Sequence, residues 1–107
     1  MNLPKVVTDL IKAQNEFDAV TYANLFAENA IVFDESKTHK GRLDIERLID
    51  HSNKNYKSVL KPLEYTKNET SSILTAMCSG TFPGSPIALK FHFEIIDGLI
   101  QRLKITD

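Results

Sequence analysis

The stretch from Ile87 to Ile95 constrains the fold more than any other part of the chain, because it alternates between two kinds of side chain. Every odd position is apolar, whereas Lys90, His92 and Glu94 occupy even positions. Side chains of a β-strand point alternately to the two faces of a sheet. One face of this strand is therefore predicted to pack against other elements, and the opposite face to meet water or a partner subunit.

Further segments of strand length lie after Pro62, at residues 63–67, 71–81 and 99–106. Turn signals separate the segments. Pro83 and Gly84 suit the central positions of a type II turn, and Asp97 with Gly98 indicates a tight hairpin. With the alternating stretch, these segments predict a four-stranded antiparallel meander in the second half of the chain.

Three helices are predicted in the first half of the chain, with a short strand at 30–33 and a hairpin between the second and the third. The first helix begins at Pro4, whose missing N–H costs nothing in a first turn. Asp18 is a suitable N-cap for the second helix, and the third follows Gly41. The positions expected to face inward are Val6, Val7, Leu10, Ala13, Gln14 and Phe17, then Ala19, Tyr22, Ala23 and Phe26, then Ile45, Leu48 and Ile49.

The chain has 107 residues, of which 42% are hydrophobic, and a net charge of −1. This size predicts one domain over residues 1–107. The near-zero net charge gives no general attraction to nucleic acid or to an anionic membrane. The single cysteine, Cys78, suits a reducing compartment. Because no apolar run approaches the ~20 residues of a membrane span and no signal-peptide core is evident, we expect a cytoplasmic protein without membrane or nucleic-acid partners.

Four segments carry a resemblance that covers essentially the whole chain: "DAVTYANLFAENAIVFDE" (18–35), "HKGRLDI" (39–45), "SGTFPGSP" (79–86) and "FHFEIIDGLIQRLKI" (91–105). Their order resembles the nuclear transport factor 2-like superfamily, in its SnoaL-like branch. The resemblance implies an α+β, cone-shaped fold, with three N-terminal helices packed on a strongly curved antiparallel (mixed) sheet around an apolar pocket. It also implies a homodimer formed through the outer sheet face, and enzymes that work without a cofactor.

Asp34, in "VFD", falls on the position of the catalytic base of ketosteroid isomerase, a member of this superfamily. In that enzyme the aspartate moves a proton α to a carbonyl. A carboxylate inside an apolar cone is desolvated, which raises its pKa and makes it a stronger base. The plainer alternative is that Asp34 ends a strand and bonds to the turn backbone. Its neighbour Glu35 should point away and be solvated, because side chains alternate along a strand.

The electrophilic half of that isomerase site is missing from the sequence. The position of its oxyanion-hole tyrosine holds Leu10, and the position of its protonated aspartate falls on Leu89 or Lys90. Oxyanion stabilisation is usually the largest single contribution to such catalysis. Steroid isomerisation by that mechanism is therefore not expected.

Three other polar residues have alternative interpretations. His39 is a candidate acid–base partner reaching Asp34 across the hairpin, or else an exposed turn histidine. Arg42 is expected to pair with a carboxylate at the start of the third helix, the alternative being an anionic ligand. His92, on the even face of its strand, should lie outside the cone. The histidines show no metal-ligand spacing and no phosphate-binding motif is present, so neither a metal nor a cofactor is expected.

Aromatic and apolar residues supply candidates for a ligand-binding cavity wall, with ordinary core packing as the alternative for each. Gln101 is a further candidate, because it shares the parity of Leu99, Leu103 and Ile105 and so places one amide on an apolar face. The aromatic and apolar candidates are Tyr22, Phe26, Tyr56, Met77, Phe91 and Phe93.

Three functions remain open from the sequence. The first is a binding protein for a small apolar or weakly polar molecule. The second is a cofactor-free isomerase, cyclase or dehydratase with Asp34 as general base and His39 as its aid. The third is a dimeric protein-interaction module that uses the outer sheet face.

Overall fold

Three helices and six strands make up the computed structural model, which describes residues 1–107. The helices are α1 (Lys5–Asn15), α2 (Ala19–Asn24) and α3 (Gly41–Asn55). The strands are β1 (Phe26–Asp34), β2 (Lys37–Lys40), β3 (Val59–Lys67), β4 (Ser72–Ser79), β5 (Ile87–Ile96) and β6 (Leu99–Thr106).

All six strands form one curved mixed sheet in the order β2-β1-β6-β5-β4-β3. The four strands from β3 to β6 pair antiparallel in sequence order, so the predicted meander is confirmed. The one parallel contact joins β1 to β6 and unites the two halves of the chain. The fold is therefore α+β, as predicted. Only α1 and α2 precede the sheet, because α3 connects β2 to β3.

The alternation in β5 has the predicted consequence. Phe91 and Phe93 are buried in the core on the inner face of the sheet, whereas Lys90 and Glu94 are exposed on the outer face. The core continues into α1, where Val7 and Leu10 are completely buried. The helices thus cover one face of the sheet and leave the other open.

The second helix begins as its sequence predicts. The Asp18 carboxylate accepts hydrogen bonds from the backbone N–H of Thr21 at 3.1 Å and from its hydroxyl at 2.7 Å. Phe17, by contrast, was expected on the inner face of α1 and this prediction is wrong. It has a left-handed backbone with φ of 56° between the two helices, and its side chain is 44% exposed.

Two strands extend beyond their predicted limits. The first strand begins at Phe26, which therefore belongs to β1 and not to α2. The Phe26 side chain is fully buried, as expected. The third begins at Val59 and contains Pro62, beside a bulge. A proline fits there because β3 lies at the edge of the sheet, where a missing N–H can be tolerated.

Arg42 does not pair with a carboxylate, contrary to the sequence prediction. Its Nε donates instead to the backbone carbonyl of Phe26 at 2.9 Å. The register between β1 and β6 shifts between Phe26 and Ile31, so pairing is interrupted next to this carbonyl. Arg42 therefore links the start of α3 to the irregular part of β1.

Gly80, just after β4, lies so close to α3 that no side chain fits. A Cβ at this position would overlap the backbone carbonyl oxygen of Tyr56. That carbonyl accepts a hydrogen bond from the Thr81 N–H at 2.7 Å, which joins the β4–β5 loop to the end of α3. The close approach fixes one wall of the cleft described below.

We expect Gly80→Ala to lower the free energy of unfolding by about 1–3 kcal/mol, because the added methyl group must push two backbone segments apart. Urea denaturation measures the change. Ser79→Ala is the matched control, since Ser79 lies on the outer face of β4, and it should stay within about 0.5 kcal/mol of wild type. Equal stability of the two variants would contradict the close contact.

Candidate functional site

A cleft of about 1070 Å³ opens between the inner face of the sheet, α3 and the β4–β5 loop. Its volume is slightly larger than the roughly 300–1,000 Å³ typical of small-molecule sites. Polar and charged groups lie mainly at its mouth and along its floor. The apolar residues that line it include Leu48, Ile49, Leu60, Phe82, Ile87, Leu89, Phe91 and Ile105.

Asp34 lies half-buried at the end of β1 and lines this cleft. Burial raises the pKa of its carboxyl, and the nearby Glu35 carboxylate raises it further. The charge of His39 and a hydrogen bond from the Glu35 backbone act in the opposite direction. The net result is a carboxyl that holds its proton more tightly than a free aspartate does.

The hairpin brings His39 to the same face as Asp34. Val32 lies directly opposite His39, and Asp34 follows Val32 by two residues, so all three side chains point to one side of the sheet. His39 influences the carboxyl of Asp34 by its charge, without a hydrogen bond between the two side chains. Both residues line the cleft, and their catalytic roles stay predictions.

Glu35 is exposed, as expected, but for a different reason from the one predicted. The strand ends at Asp34, and Glu35 enters a turn with φ of 51°, so strand alternation does not apply to it. It lies at the mouth of the cleft rather than on the far side of the sheet. Its carboxylate is therefore close enough to disfavour ionisation of Asp34.

Tyr22 presents its hydroxyl to the cleft. The residue is only 2% exposed, and its ring stacks on Phe26 with centroids 5.6 Å apart. No protein group hydrogen-bonds the hydroxyl. The only side-chain polar atom that is both fully enclosed and without a hydrogen-bond partner is Nδ2 of Asn53, so the Tyr22 oxygen is not fully enclosed. The Tyr22 oxygen therefore reaches the open space of the cleft. Burial raises its pKa, with smaller contributions from Asp34 and Cys78, so that the phenol stays protonated.

The other predicted wall residues divide between cleft and core. Tyr56 and Phe91 line the cleft. Phe26 and Phe93 are absent from its lining and are almost completely buried in the core, which corrects their assignment to the wall. Met77 is also wrongly assigned. Burial alternates along β4 so that Cys78 faces inward, while Met77 lies opposite the exposed Ala88 on the outer face.

A bulge in β6 overturns the prediction for Gln101. Glu94 pairs with Arg102 and Ile95 pairs with Ile100, which leaves Gln101 as an extra residue without a partner on β5. The strand alternation on which the prediction depended is interrupted at this point. Ile100 takes the fully buried position, and Gln101 does not line the cleft.

Three polar residues line the cleft that were not predicted to belong to the site: Gln14, Ser58 and Cys78. Nε2 of Gln14 donates to the Ser58 carbonyl at 2.7 Å and to Oδ1 of Asn53 at 3.3 Å. Burial raises the pKa of the Cys78 thiol, which is therefore a weak nucleophile. Gln14 could have been found from its position, because it is an amide on the apolar face of α1.

His92 lies on the outer face, away from the cleft, where its Nε2 is 2.9 Å from the Thr106 hydroxyl. A shallow outer groove of about 450 Å³ runs past it, lined also by Glu94 and Arg102, which form an ion pair at 3.2 Å. No three His, Cys, Asp or Glu side chains come together as a metal site requires. No helix is both long and apolar enough to span a membrane.

The raised pKa of Asp34 gives a stability prediction with a definite sign. Between the pKa of the unfolded chain and the raised folded value, the folded state binds more protons, so stability falls as the pH rises through this window. Asp34→Asn removes the ionisation. We expect the variant to be more stable than wild type at neutral pH, and to lose that advantage in acid, in thermal unfolding followed by circular dichroism.

Asp18 is the matched control of opposite sign. The hydroxyl and backbone N–H of Thr21 lower its pKa, so its contribution is present at neutral pH and is lost as the pH falls through the folded value. Asp18→Ala should therefore destabilise at neutral pH and not in strong acid. An Asp34→Asn variant that behaves like Asp18→Ala would show that the Asp34 carboxylate is stabilised, not desolvated.

Comparison with known proteins gives a clear fold assignment. No protein-family model and no curated protein matches the chain. Among solved structures, a candidate polyketide cyclase from Sinorhizobium meliloti is 36% identical, with a TM-score of 0.92 over 97% of this chain and 95% of that one.

Two more distant structures share the fold. A hypothetical protein of Catenulispora acidiphila with a ketosteroid isomerase-like fold, in complex with trimethylamine, is 16% identical with a TM-score of 0.89 over 99% of this chain and 87% of that one. A candidate polyketide cyclase of Xanthomonas campestris is 20% identical with a TM-score of 0.81 over 94% and 85%. The chain belongs to the SnoaL-like proteins of the nuclear transport factor 2-like superfamily.

Proposed function

We propose that this protein binds a small apolar or weakly polar molecule in the cleft, held inside the cone that its curved sheet and helices form. The observation that carries the proposal is the hydroxyl of Tyr22, which is buried, without a protein partner and open to the cleft. A buried polar group normally has a hydrogen-bond partner. A ligand oxygen would supply the missing one.

The chemistry of the walls suggests the character of the ligand. Residues such as Leu60, Leu89 and Phe91 favour an apolar body, because burying apolar surface is the main favourable contribution to binding. Burial disfavours the charged form of Asp34, so the carboxyl favours a neutral ligand group over a second anion beside it. A neutral molecule with a carbonyl or hydroxyl oxygen close to Tyr22 fits both features.

The interaction-module alternative has less support, because the cleft is not filled by the protein's own side chains. A homodimer through the outer sheet face is compatible with ligand binding and remains part of the proposal. Exposed apolar residues such as Ile96, together with Met77 and Ala88, would be covered in such a dimer.

A suitable probe is 2-naphthol, a fluorescent molecule with an apolar body and one hydroxyl. We expect Leu89→Trp to weaken its binding at least about tenfold, equal to ~1.4 kcal/mol, because the indole would occupy the cleft. Leu63→Trp on β3 is the matched control; Leu63 is exposed and outside the cleft, so affinity should stay within about twofold. Fluorescence titration measures both. If wild type, Leu89→Trp and Leu63→Trp bind 2-naphthol with equal affinity, the binding site lies outside the cleft.

A second candidate function is cofactor-free proton transfer α to a carbonyl, with Asp34 as general base. The observation that favours it is the pairing of a desolvated carboxyl with the free Tyr22 hydroxyl in one cleft. Tyr22 would donate a hydrogen bond to the developing enolate oxygen, a role that the residues at the family positions, such as Leu10, cannot perform. His39 would aid the proton transfer at the mouth of the cleft.

Exchange of the α-protons of 2-tetralone in D₂O, followed by ¹H NMR, tests this candidate. We expect Asp34→Asn to slow enzyme-dependent exchange by about 10²–10⁴-fold. Tyr22→Phe should slow it by about 10²-fold or more, through loss of enolate stabilisation. Glu94→Gln, which removes an exposed carboxylate on the outer face of the sheet, should remain close to wild type. Exchange that Asp34→Asn leaves unchanged, with naphthol binding intact, would exclude the catalytic role and leave the binding role.

A further inference from the structure

The orientation of the Gln14 amide is fixed by its surroundings. The Ser58 carbonyl can only accept hydrogen bonds, so the group 2.7 Å from it must be the NH₂ of Gln14. The second N–H of that NH₂ points to Oδ1 of Asn53 at 3.3 Å. Both donors of Gln14 are thereby used within the protein.

What remains of Gln14 is its carbonyl oxygen, Oε1. Gln14 lines the cleft and is 6% exposed, and its Oε1 receives no hydrogen bond from the protein. Asn53 Nδ2 is the only side-chain polar atom that is both fully enclosed and without a hydrogen-bond partner, so Gln14 Oε1 is not fully enclosed. Since Gln14 lines the cleft, its Oε1 reaches the open space there. The cleft therefore contains a fixed hydrogen-bond acceptor without a protein donor, in addition to the Tyr22 hydroxyl.

Tyr22 on α2 and Gln14 on α1 both line this cleft, so the two groups are supplied by different helices. The charges of Asp34 and Cys78 contribute to the raised pKa of Tyr22, so these residues lie near its hydroxyl. Gln14 is held instead by the carbonyl of Ser58, next to the start of β3. A ligand that reaches both groups would meet polar atoms at two separate points.

We propose that Gln14 is a specificity-determining residue whose Oε1 accepts a hydrogen bond from a second polar group of the ligand. The ligand class is then an apolar, ring-sized molecule with two separated polar groups, an oxygen at Tyr22 and a hydroxyl or N–H donor at Gln14. A ligand with an ether or ketone oxygen at the second position would place two acceptors face to face and bind less well. This inference rests on the proposed function and specifies its ligand.

Three naphthalenes of related shape test the inference: 2-naphthol, 2,6-dihydroxynaphthalene and 2,6-dimethoxynaphthalene, with the 2,7 isomers to cover the spacing of the two groups. The dimethoxy compounds can accept a hydrogen bond from Tyr22 in either orientation but cannot donate one to Gln14. One hydrogen bond of ordinary net strength corresponds to about 2–10-fold in affinity. We expect at least one diol to bind wild type that much more tightly than its dimethoxy analogue, and Gln14→Met to abolish the difference while still binding 2-naphthol.

Gln14→Met also removes the donor to Ser58 and can fail to fold, so a measurement on wild type accompanies it. The side-chain ¹⁵N–¹H₂ signals of Gln14 should shift on addition of the preferred diol and shift less with its dimethoxy analogue. Dimethoxy compounds that bind as tightly as the diols, or a diol preference that persists in Gln14→Met, would overturn the role of Gln14 alone. If none of the naphthalenes binds, the proposed function fails and this inference fails with it.

Discussion

A reciprocal pair of hydrogen bonds between Asn15 and Leu60 holds the rest of the cleft in place. The Asn15 side chain donates to the Leu60 carbonyl at 3.0 Å and accepts from the Leu60 N–H at 2.7 Å. It thus satisfies the two backbone groups of an edge strand, as a neighbouring strand would. Because Asn15 is the last residue of α1, this contact fixes the end of the helix against β3. Gln14, one residue earlier, is thereby directed to Ser58 and the floor of the cleft.

The fold places Asp34 in surroundings that disfavour the ionisation of its carboxyl. Its position at the end of β1 follows from the pairing of β1 with β2 and β6. Burial opposes the charge of its carboxylate, and the charge of His39 and a hydrogen bond from the Glu35 backbone compensate only in part. Residues with such perturbed ionisation are concentrated at functional sites, although structural causes also produce them. The 36% identity with the Sinorhizobium meliloti protein establishes the family. It does not decide whether the raised pKa of Asp34 has a functional or only a structural cause.

The sequence predicts the elements better than the details of the site, and particular residues explain why. The Asp18 cap and the alternation around Phe91 depend on local physics, so both are confirmed. β4 is different, because both of its faces carry apolar side chains and hydrophobicity does not distinguish Met77 from Cys78. Gln101 was misplaced because a bulge depends on pairing with two neighbouring strands, which local sequence does not specify. Gln14 is likewise an amide on an apolar face, that of α1, and it does line the cleft.

The parallel pairing of β1 with β6 has a consequence for the order in which the chain folds. The tight turn at Asp97 and Gly98 lets β5 and β6 meet early, since hairpins form within microseconds. Val32 and Leu103, in contrast, are separated by most of the chain, and contacts so distant in sequence form slowly. Asp34 is carried into place by that late contact. A partly folded chain can therefore already possess the meander while lacking the polar end of the cleft, so that a ligand which needs Asp34 would select only the completed structure.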